Sequence, residues 1–207
     1  MASEDFLQTT IVVPSPSPHA ESKAVLRYEA RKRRAAFVAG LAVAEREGLE
    51  DRLAEVLAPL VDAASVVAAY HPVGSEIDPR AVLARAGNQA TTTALPAFAD
   101  ADALMHFRSG VSAEDGPHGI PQPPGQARIV YPDLVLVPLV AVDAAGTRLG
   151  QGGGHYDRVL GELRSAGAKI IGLGWPMQRV DFRIPVDEWD IPLDGFASPD
   201  GLEAFLP

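Results

Sequence analysis

The sequence predicts an α/β fold, a single-domain layered structure with a largely parallel central sheet flanked by helices. Two helical stretches come first, and short apolar runs then alternate with helical segments, which is the order of a parallel α/β sheet. With 207 residues, of which 47% are hydrophobic, the chain is long enough to bury one sizeable core. No change of composition marks a domain boundary, so we expect one domain over residues 20–207.

The first third of the chain predicts a tail and two helices. Residues 1–19 end in alternating proline and serine, and we expect them to form a mobile N-terminal tail. One helix is predicted from about residue 21 to 47 and a second from about 51 to 64, where apolar residues recur at helical spacing. Pro59 should kink or shorten the second helix, because proline has no backbone N–H to donate.

Strands and helices alternate over the rest of the chain. Apolar runs predict strands at 65–70, 90–95, 104–107, 134–142 and Lys169–Leu173, and helices are predicted at 78–87 and 156–166. Residues 110–126 are dense in glycine and proline and predict a loop. Pro138 lies inside the strongest strand signal and indicates a bulge or a strand end there.

The charge balance and the absence of cysteine exclude several classes of protein. The 18 basic and 27 acidic residues give a formal net charge of −9, which disfavours a nucleic-acid binder. Without cysteine there is no disulfide, thiolate metal site or cysteine nucleophile. No apolar run approaches the ~20 residues of a membrane span, and the first residues lack the pattern of a secretory signal. We therefore expect a cytoplasmic protein with no membrane, nucleic-acid or obligate protein partner.

The most informative segment is a glycine loop at residues 150–154, between the strongest strand and a helix. Its glycines are Gly150, Gly152, Gly153 and Gly154. Their backbone N–H groups, with the start of the following helix, can cradle a phosphate that Arg148 and Arg158 neutralise. Asp157 can hold Mg²⁺ on such phosphates. The alternative is a flexible connector whose Asp157 only complements the helix dipole. The spacing matches neither a P-loop nor a dinucleotide fingerprint.

The first predicted helix carries a basic face. Its cations fall within a narrow arc when ~3.6 residues make a turn, and they are Lys23, Arg27, Arg31 and Arg34. Six of the 18 basic residues lie between positions 23 and 34, which favours an anionic partner in a protein of net negative charge. The alternative is an ordinary solvated charged face.

Acidic residues form two further candidate sites. Glu76 and Asp78 follow a predicted strand, at the end where open α/β sheets bind ligands. Glu76 can accept hydrogen bonds from a polar heterocycle, or both acids only cap the next helix. Near the C-terminus, residues 187–194 contain four acids, and one of them can complete a Mg²⁺ shell with Asp157. The alternative is a solvated acidic loop.

Several motifs together resemble one enzyme family. They are KxxLR from Lys23, YxPxxxEID from Tyr70, GIPQP from Gly119, DLVLVPLVAVDxxGxRLGxGxGxYDR from Asp133, and Ile184-Pro185 followed by Asp190 and Asp194. In this order and spacing, from about residue 22 to 198, the chain resembles the 5-formyltetrahydrofolate cyclo-ligases, also called 5,10-methenyltetrahydrofolate synthetases. The resemblance implies an α/β enzyme that uses ATP and Mg²⁺ to convert 5-formyltetrahydrofolate into 5,10-methenyltetrahydrofolate, with release of ADP and phosphate.

The resemblance also implies roles for the residues at matching positions. Nucleotide binding is implied for Lys23, Arg27, Arg148, Gly150, Gly152, Gly153, Gly154, Tyr156 and Arg158. Folate contact is implied for Glu76, Met105, His155 and Tyr156. Mg²⁺ binding is implied for Asp157 and Asp190. The catalytic set is Arg148, Tyr156 and Asp157.

Three positions depart from the family pattern. His155 stands where the family often has an aromatic residue, Gln151 replaces a common tyrosine or arginine, and Gln122 replaces the glutamate of a GI-x-EP segment. These departures keep open a non-catalytic nucleotide- or folate-binding member of the family. A sugar-phosphate isomerase or an acyl-transfer enzyme with a similar sheet is a third class, and the latter would need no ATP and no metal at Asp157.

Overall fold

The computed structural model describes residues 19–117 and 119–205 and is built around a seven-stranded sheet. The helices are α1 (Ala20–Ala39), α2 (Val43–Ala63), α3 (Arg80–Asn88) and α4 (Asp157–Ser165), with a 3-10 turn at Pro176–Gln178. The strands are β1 (Val66–Ala68), β2 (Thr92–Ala97), β3 (His106–Ser109), β4 (Glu114–Asp115), β5 (Pro121–Gln122), β6 (Leu134–Pro138), β7 (Ala141–Val142), β8 (Arg148–Leu149), β9 (Lys169–Leu173), β10 (Gly195–Ser198) and β11 (Gly201–Ala204).

The strand order of the sheet is β11-β10-β9-β6-β1-β2-β3. The five inner strands, from β10 to β2, pair in parallel. The edge strands β11 and β3 pair antiparallel with their neighbours. Parallel neighbours need a crossover connection, and α3 supplies one between β1 and β2 while α4 supplies one between β6 and β9. The prediction of a largely parallel sheet flanked by helices is confirmed.

Strand β6 shows that helices cover both faces of the sheet. Leu134 and Leu136 belong to the core beneath α2 and α3, whereas Val135 and Val137 belong to the core beneath α4. All four side chains are at most 2% exposed. Because successive side chains of a strand point to opposite faces, a strand buried on both sides appears in the sequence as an unbroken apolar run.

The first helix ends earlier than the sequence predicts, so the prediction of a helix to residue 47 is wrong. Helix α1 ends at Ala39, and α2 already begins at Val43. Gly48, in the gap expected between two helices, lies inside α2. A glycine inside a helix costs only about 1 kcal/mol, so tertiary packing rather than local propensity decides where this helix begins.

Pro59 lies within α2 and does not shorten it, so that part of the prediction is wrong. The helix continues to Ala63. Its inner face buries Leu53, Leu57 and Val61, each of which is 0% exposed. Burial of this apolar face stabilises the last turn although proline removes one backbone hydrogen bond.

All five predicted strands are present, but the structure adds others. The run predicted at 134–142 divides at Pro138, where β6 ends, and β7 then pairs with β8. Strands β4 and β5 pair within the segment 110–126, which was predicted to be a loop throughout. Strands β10 and β11 were not predicted, because β10 (GFAS) contains a single large apolar side chain and is a strand only through its pairing with β9 and β11.

Two predictions concern the whole chain. The N-terminal tail lies, apart from His19, outside the described residues, so the tail and the domain beginning at residue 20 stay predictions. Within the described residues, no helix is long and apolar enough to cross a membrane.

Candidate functional site

A cleft lies where two neighbouring parallel strands end. Tyr70 and His71 follow β1 into this cleft, and Pro138, the last residue of β6, also lines it. Adjacent strand ends of this kind are where α/β sheets bind ligands. The cleft has a volume of about 560 Å³, which falls within the range of roughly 300–1,000 Å³ typical of small-molecule sites.

The structure brings almost all the predicted site residues into this cleft. Those that line it are Lys23, Arg27, Glu76, Met105, Arg148, Gly150, Gly152, Gly153, Gly154, His155, Tyr156, Asp157 and Asp190. Arg158 does not line it. Its guanidinium donates to the carbonyl oxygens of Gly154 and Gly153, each at 3.2 Å, and so braces the backbone of the loop. Its role in nucleotide binding stays a prediction that this geometry does not support.

The glycine loop folds against α1. Gly152 and Gly154 have φ angles of 105° and 64°, in the region that residues with side chains rarely adopt. Arg27 Nε donates to Gly150 O at 2.9 Å, and a Cβ placed on Gly152 would lie 3.6 Å from the Arg27 guanidinium carbon. The glycines therefore keep the loop backbone bare beside a cation, which is the arrangement that a phosphate group requires.

Arg148 is a buried cation with one unused donor. Its Nη2 donates to Asp157 Oδ1 at 2.6 Å, and its guanidinium carbon lies 5.6 Å from the centre of the Tyr156 ring. Its Nε is buried and has no hydrogen-bond partner among the described residues. An unpaired buried donor of this kind costs about 1–3 kcal/mol.

Lys23 ties α1 to the acidic C-terminal segment. Its Nζ donates to Asp187 Oδ2 at 2.7 Å and to Asp190 Oδ2 at 2.6 Å. Lys23 and Asp187 are buried. The acidic segment is therefore a paired wall of the cleft rather than a solvated loop.

The carboxylates predicted to bind Mg²⁺ face the same cleft but contact different cations. Asp157 is bonded to Arg148 and Asp190 to Lys23. Among the described residues, no three His, Cys, Asp or Glu side chains form a cluster that could hold a metal ion. Magnesium that arrives on phosphates needs only one or two protein carboxylates, so these residues fit the predicted ion.

The rest of the basic face packs against loops. Arg31 donates to Gln151 Oε1 and to Gln151 O, both at 2.9 Å. Arg34 is 5% exposed and donates to Ser75 Oγ and Leu139 O. Burial, and then the neighbouring Arg31, lower the pKa of Arg27 below its usual value. Lys23 and Arg34 are each only 5% exposed, so the face as a whole is not an ordinary solvated one, although Arg31 is exposed.

Glu76 and Asp78 have different roles. Glu76 is 4% exposed and lines the cleft, where its Oε2 accepts from Val73 N at 2.9 Å and its Oε1 from Gln151 Nε2 at 2.7 Å. Asp78 Oδ1 accepts from Arg80 N at 2.9 Å, at the start of α3. The capping interpretation therefore applies to Asp78, and Glu76 remains the candidate for a ligand contact.

Tyr156 precedes α4 and packs beside Arg148. Burial raises the pKa of Tyr156 well above its usual value, although the nearby Arg148 acts in the opposite direction. The phenol is therefore protonated at neutral pH. It can donate a hydrogen bond but cannot serve as a base.

An apolar wall of the cleft was largely missed by sequence reasoning. Phe98 and Ile120 line it together with the predicted Met105. Phe98 meets His155 edge-on, with ring centres 5.0 Å apart. Trp189 also lines the cleft, and its place in the acidic segment of the family motif is the one signal that could have identified it. Phe98 carries no comparable signal, because it follows an unremarkable apolar strand.

Comparison with known proteins identifies one family. A family model described as the 5-formyltetrahydrofolate cyclo-ligase family matches residues 19–199. The Mycolicibacterium smegmatis 5-formyltetrahydrofolate cyclo-ligase is 33% identical over 171 residues, covering 75% of this chain and 84% of that protein. The Escherichia coli K12 5-formyltetrahydrofolate cyclo-ligase is 43% identical over 67 residues, but that match spans only 32% of this chain and 36% of the relative.

Solved structures agree with the sequence matches. The solution structure of Aquifex aeolicus 5,10-methenyltetrahydrofolate synthetase has a TM-score of 0.71 and 26% identity, covering 89% of this chain and 93% of that one. The Mycoplasma pneumoniae 5,10-methenyltetrahydrofolate synthetase structure shares the fold, with a TM-score of 0.65 at 22% identity. It covers 86% of this chain and 98% of that one. On the extent of the family match and of the M. smegmatis relative, the chain belongs to the 5-formyltetrahydrofolate cyclo-ligase family.

Proposed function

We propose that the chain converts 5-formyltetrahydrofolate and ATP into 5,10-methenyltetrahydrofolate, ADP and phosphate with the help of Mg²⁺. One observation carries the proposal: a single cleft joins a glycine loop beside buried cations to an apolar wall next to the Glu76 carboxylate. The names of the relatives in the same family support the same reaction.

The cationic half of the cleft is assigned to the nucleotide phosphates. Arg148, Arg27 and Lys23 are the cations that line this half. The bare backbone of the glycine loop adds N–H donors beside these cations. Magnesium on the phosphates would neutralise charge during phosphoryl transfer, and Asp157 and Asp190 are the side chains that would hold it.

The apolar half of the cleft is assigned to the folate. Met105, Phe98 and Ile120 offer flat or flexible apolar contacts for a fused ring system. Glu76 stands beside them as a buried acceptor, suited to the N–H groups of a pterin. Gln151 occupies one of its oxygens in this structure, so folate binding would exchange that hydrogen bond.

The chemistry proposed for this site is activation of a poor leaving group. The formyl oxygen attacks the γ-phosphorus of ATP, the bond to the leaving ADP oxygen breaks, and the formamide becomes an iminium phosphate. N10 then attacks the formyl carbon, its proton passes to the departing phosphate, and the C–O bond breaks to release that phosphate. Such a transfer depends on positioning and charge neutralisation more than on a protein base. Arg148 and the protonated Tyr156 are the side chains proposed to act beside the reacting atoms.

A turnover assay tests this proposal. The protein is mixed with Mg²⁺-ATP and 5-formyltetrahydrofolate, and the near-ultraviolet absorbance of the methenyl product is followed. We expect product with the wild-type chain and a loss of at least about a hundredfold with Asp157→Asn, which keeps the shape but removes the charge. Asp100→Asn, at an exposed position outside the cleft, is the matched control.

Two other results would change the assignment. Folate binding without product would favour a non-catalytic binding protein. Equal rates of product formation by the wild type and Asp157→Asn would contradict the role assigned to the Asp157 carboxylate.

A further inference from the structure

Gln122 is hydrogen-bonded to the backbone of Phe98 through both ends of its side-chain amide. Phe98 N donates to Gln122 Oε1 at 3.0 Å, and Gln122 Nε2 donates to Phe98 O at 3.0 Å. This pairing requires one acceptor and one donor on the same side chain, which glutamine has and an ionised carboxylate lacks. The amide thus fixes the position of Phe98 in the manner of a β-bridge.

The turn that carries Gln122 is built around this amide. Strands β4 and β5 form a small hairpin in which Glu114 is paired with Gln122. A Cβ on Gly116 would lie 2.6 Å from Ile120 O and 2.7 Å from Gln122 Oε1, so only glycine leaves room for the hairpin to close. Gly116, Ile120 and Gln122 also line the cleft. The hairpin is therefore a wall of the site that Gln122 joins to the backbone of Phe98.

The Phe98 ring in turn contacts His155, the residue that follows the glycine loop. The two rings meet at an interplanar angle of 75°, and His155 Nδ1 lies 3.1 Å from an Arg158 nitrogen. Gln122, Phe98 and His155 thus form a continuous series of contacts across the apolar half of the cleft.

We infer that Gln122 is a positioning residue for the folate ring system, setting Phe98 and the β4–β5 hairpin at the spacing a flat heterocycle requires. The inference rests on the proposed function, because it assigns the folate to this half of the cleft. Gln122 acts through Phe98 and takes no part in the transfer of the phosphoryl group.

Substitutions that separate the donor from the acceptor test this inference. Gln122→Glu keeps the shape and an acceptor but, when ionised, has no donor for Phe98 O. Gln122→Met keeps the length and has neither hydrogen-bonding group. Gln126→Glu introduces the same charge at an exposed position outside the cleft and is the matched control.

The measurement is calorimetric affinity for 5-formyltetrahydrofolate without nucleotide, at pH 6, 7 and 8. Glu114 and Asp115 on β4, and His155 against the Phe98 ring, are titratable groups near Gln122. The introduced carboxyl has an ordinary pKa of about 4.3 and is ionised throughout this range, so Gln122→Glu lacks the donor at each pH.

We expect the wild type and Gln126→Glu to bind alike at each pH. Gln122→Met should bind about tenfold more weakly at every pH, which corresponds to the loss of hydrogen bonds of ordinary strength. Gln122→Glu should bind at least as weakly as Gln122→Met at each pH, because its ionised carboxylate has no donor. Affinity for a non-hydrolysable ATP analogue should stay within about twofold in all variants, because the nucleotide half is untouched.

Three outcomes would overturn the inference. Unchanged folate affinity in both Gln122 variants would show that Gln122 positions nothing. Wild-type folate affinity in Gln122→Glu, with a loss only in Gln122→Met, would show that the donor to Phe98 O is not needed. Equal losses of folate and nucleotide affinity would indicate a general structural role. A wild-type chain that binds no 5-formyltetrahydrofolate would instead contradict the proposed function, and with it this assignment.

Discussion

Arg148 is the residue on which the proposed phosphate site depends most. It is buried, bonded to Asp157 and placed over Tyr156, while its Nε has no partner among the residues that the structure describes. A guanidinium can bond a carboxylate with one nitrogen and a phosphate with another, which an ammonium group cannot do in the same geometry. The proposed phosphate site therefore requires arginine at this position and not merely a positive charge, which the next substitution tests.

We predict that Arg148→Lys lowers kcat by about a hundredfold or more while the fold survives, because lysine keeps the charge but loses the fork. The measurement is kcat together with a thermal melting curve. Arg80→Lys, at a side chain that is 84% exposed, should leave kcat unchanged. An Arg148→Lys enzyme within threefold of the wild type would contradict the assignment.

A second prediction at the residue scale concerns the contribution of Lys23 to nucleotide affinity. Its ammonium group neutralises Asp187 and Asp190, so Lys23→Ala leaves two carboxylates without their cation in the cleft wall. We expect affinity for an ATP analogue to fall about tenfold or more and affinity for 5-formyltetrahydrofolate to change by less than about threefold. Titration calorimetry with each ligand measures this difference. Lys32→Ala, at an exposed position of the same helix, is the control.

A Lys23→Ala chain that binds the ATP analogue as the wild type does would return Lys23 to a structural role. Equal losses for both ligands would show that the substitution damages the whole cleft rather than its cationic half.

At the scale of elements, α1 organises the site. One face of this helix contacts the acidic C-terminal segment through Lys23, the glycine loop through Arg27 and Arg31, and the loops after β1 and β6 through Arg34. These segments are far apart in sequence. Leu26 and Ala30 of the same helix pack against a small apolar core, whose buried residues are Val140, Ala141, Leu149, Val180 and Ile184. Charged and apolar contacts with one helix together keep the cleft walls in place.

Helices α2 and α3 are joined by an ion pair whose contribution to stability depends on pH. Arg85 donates to both carboxylate oxygens of Asp62, at 2.9 and 2.8 Å, and Gln89 adds a third hydrogen bond. The hydrogen bond from Arg85 lowers the pKa of Asp62 below its usual value. A carboxylate with a lowered folded-state pKa stabilises the protein above its unfolded pKa of about 4, and this contribution disappears as the pH falls through the folded value.

We therefore predict that Asp62→Asn melts at a lower temperature than the wild type at pH 6 and that the difference shrinks below about pH 4. Melting curves from pH 2.5 to 7 measure this, with Asp51→Asn, an exposed acid on the same helix, as the control. A difference in Tm that stays constant over the whole pH range would contradict the ion pair's role.

At the scale of the whole molecule, the sequence predicts a helix or strand correctly where a short run of neighbouring residues determines it. Lys169–Leu173 is a strand with the predicted bounds, because five mostly apolar residues follow the glycine that ends a helix. Strand β10 could not be predicted, because its small residues become a strand only through their neighbours in the sheet. The same holds for the start of α2, which packing decides.

The site divides in the same way. The residues that line its cationic half were predictable because glycines and charges cluster in short segments. Phe98 was not predictable, because its contact with Gln122 joins segments 24 residues apart through the backbone atoms of Phe98. The sequence did single out Met105 and Gln122, but it did not reveal how Gln122 holds Phe98 in the half of the cleft where the folate is proposed to bind.

The proposed phosphorylation of the formyl oxygen by ATP is tested most directly by following that oxygen atom. The wild-type chain is given Mg²⁺-ATP and 5-formyltetrahydrofolate labelled with ¹⁸O in the formyl group, and the released phosphate is analysed by mass spectrometry while ADP and the methenyl product are counted. If the formyl oxygen is phosphorylated, we expect one ADP per methenyl product and one ¹⁸O atom in each phosphate. Methenyl product formed without ADP, or phosphate without the label, would contradict it.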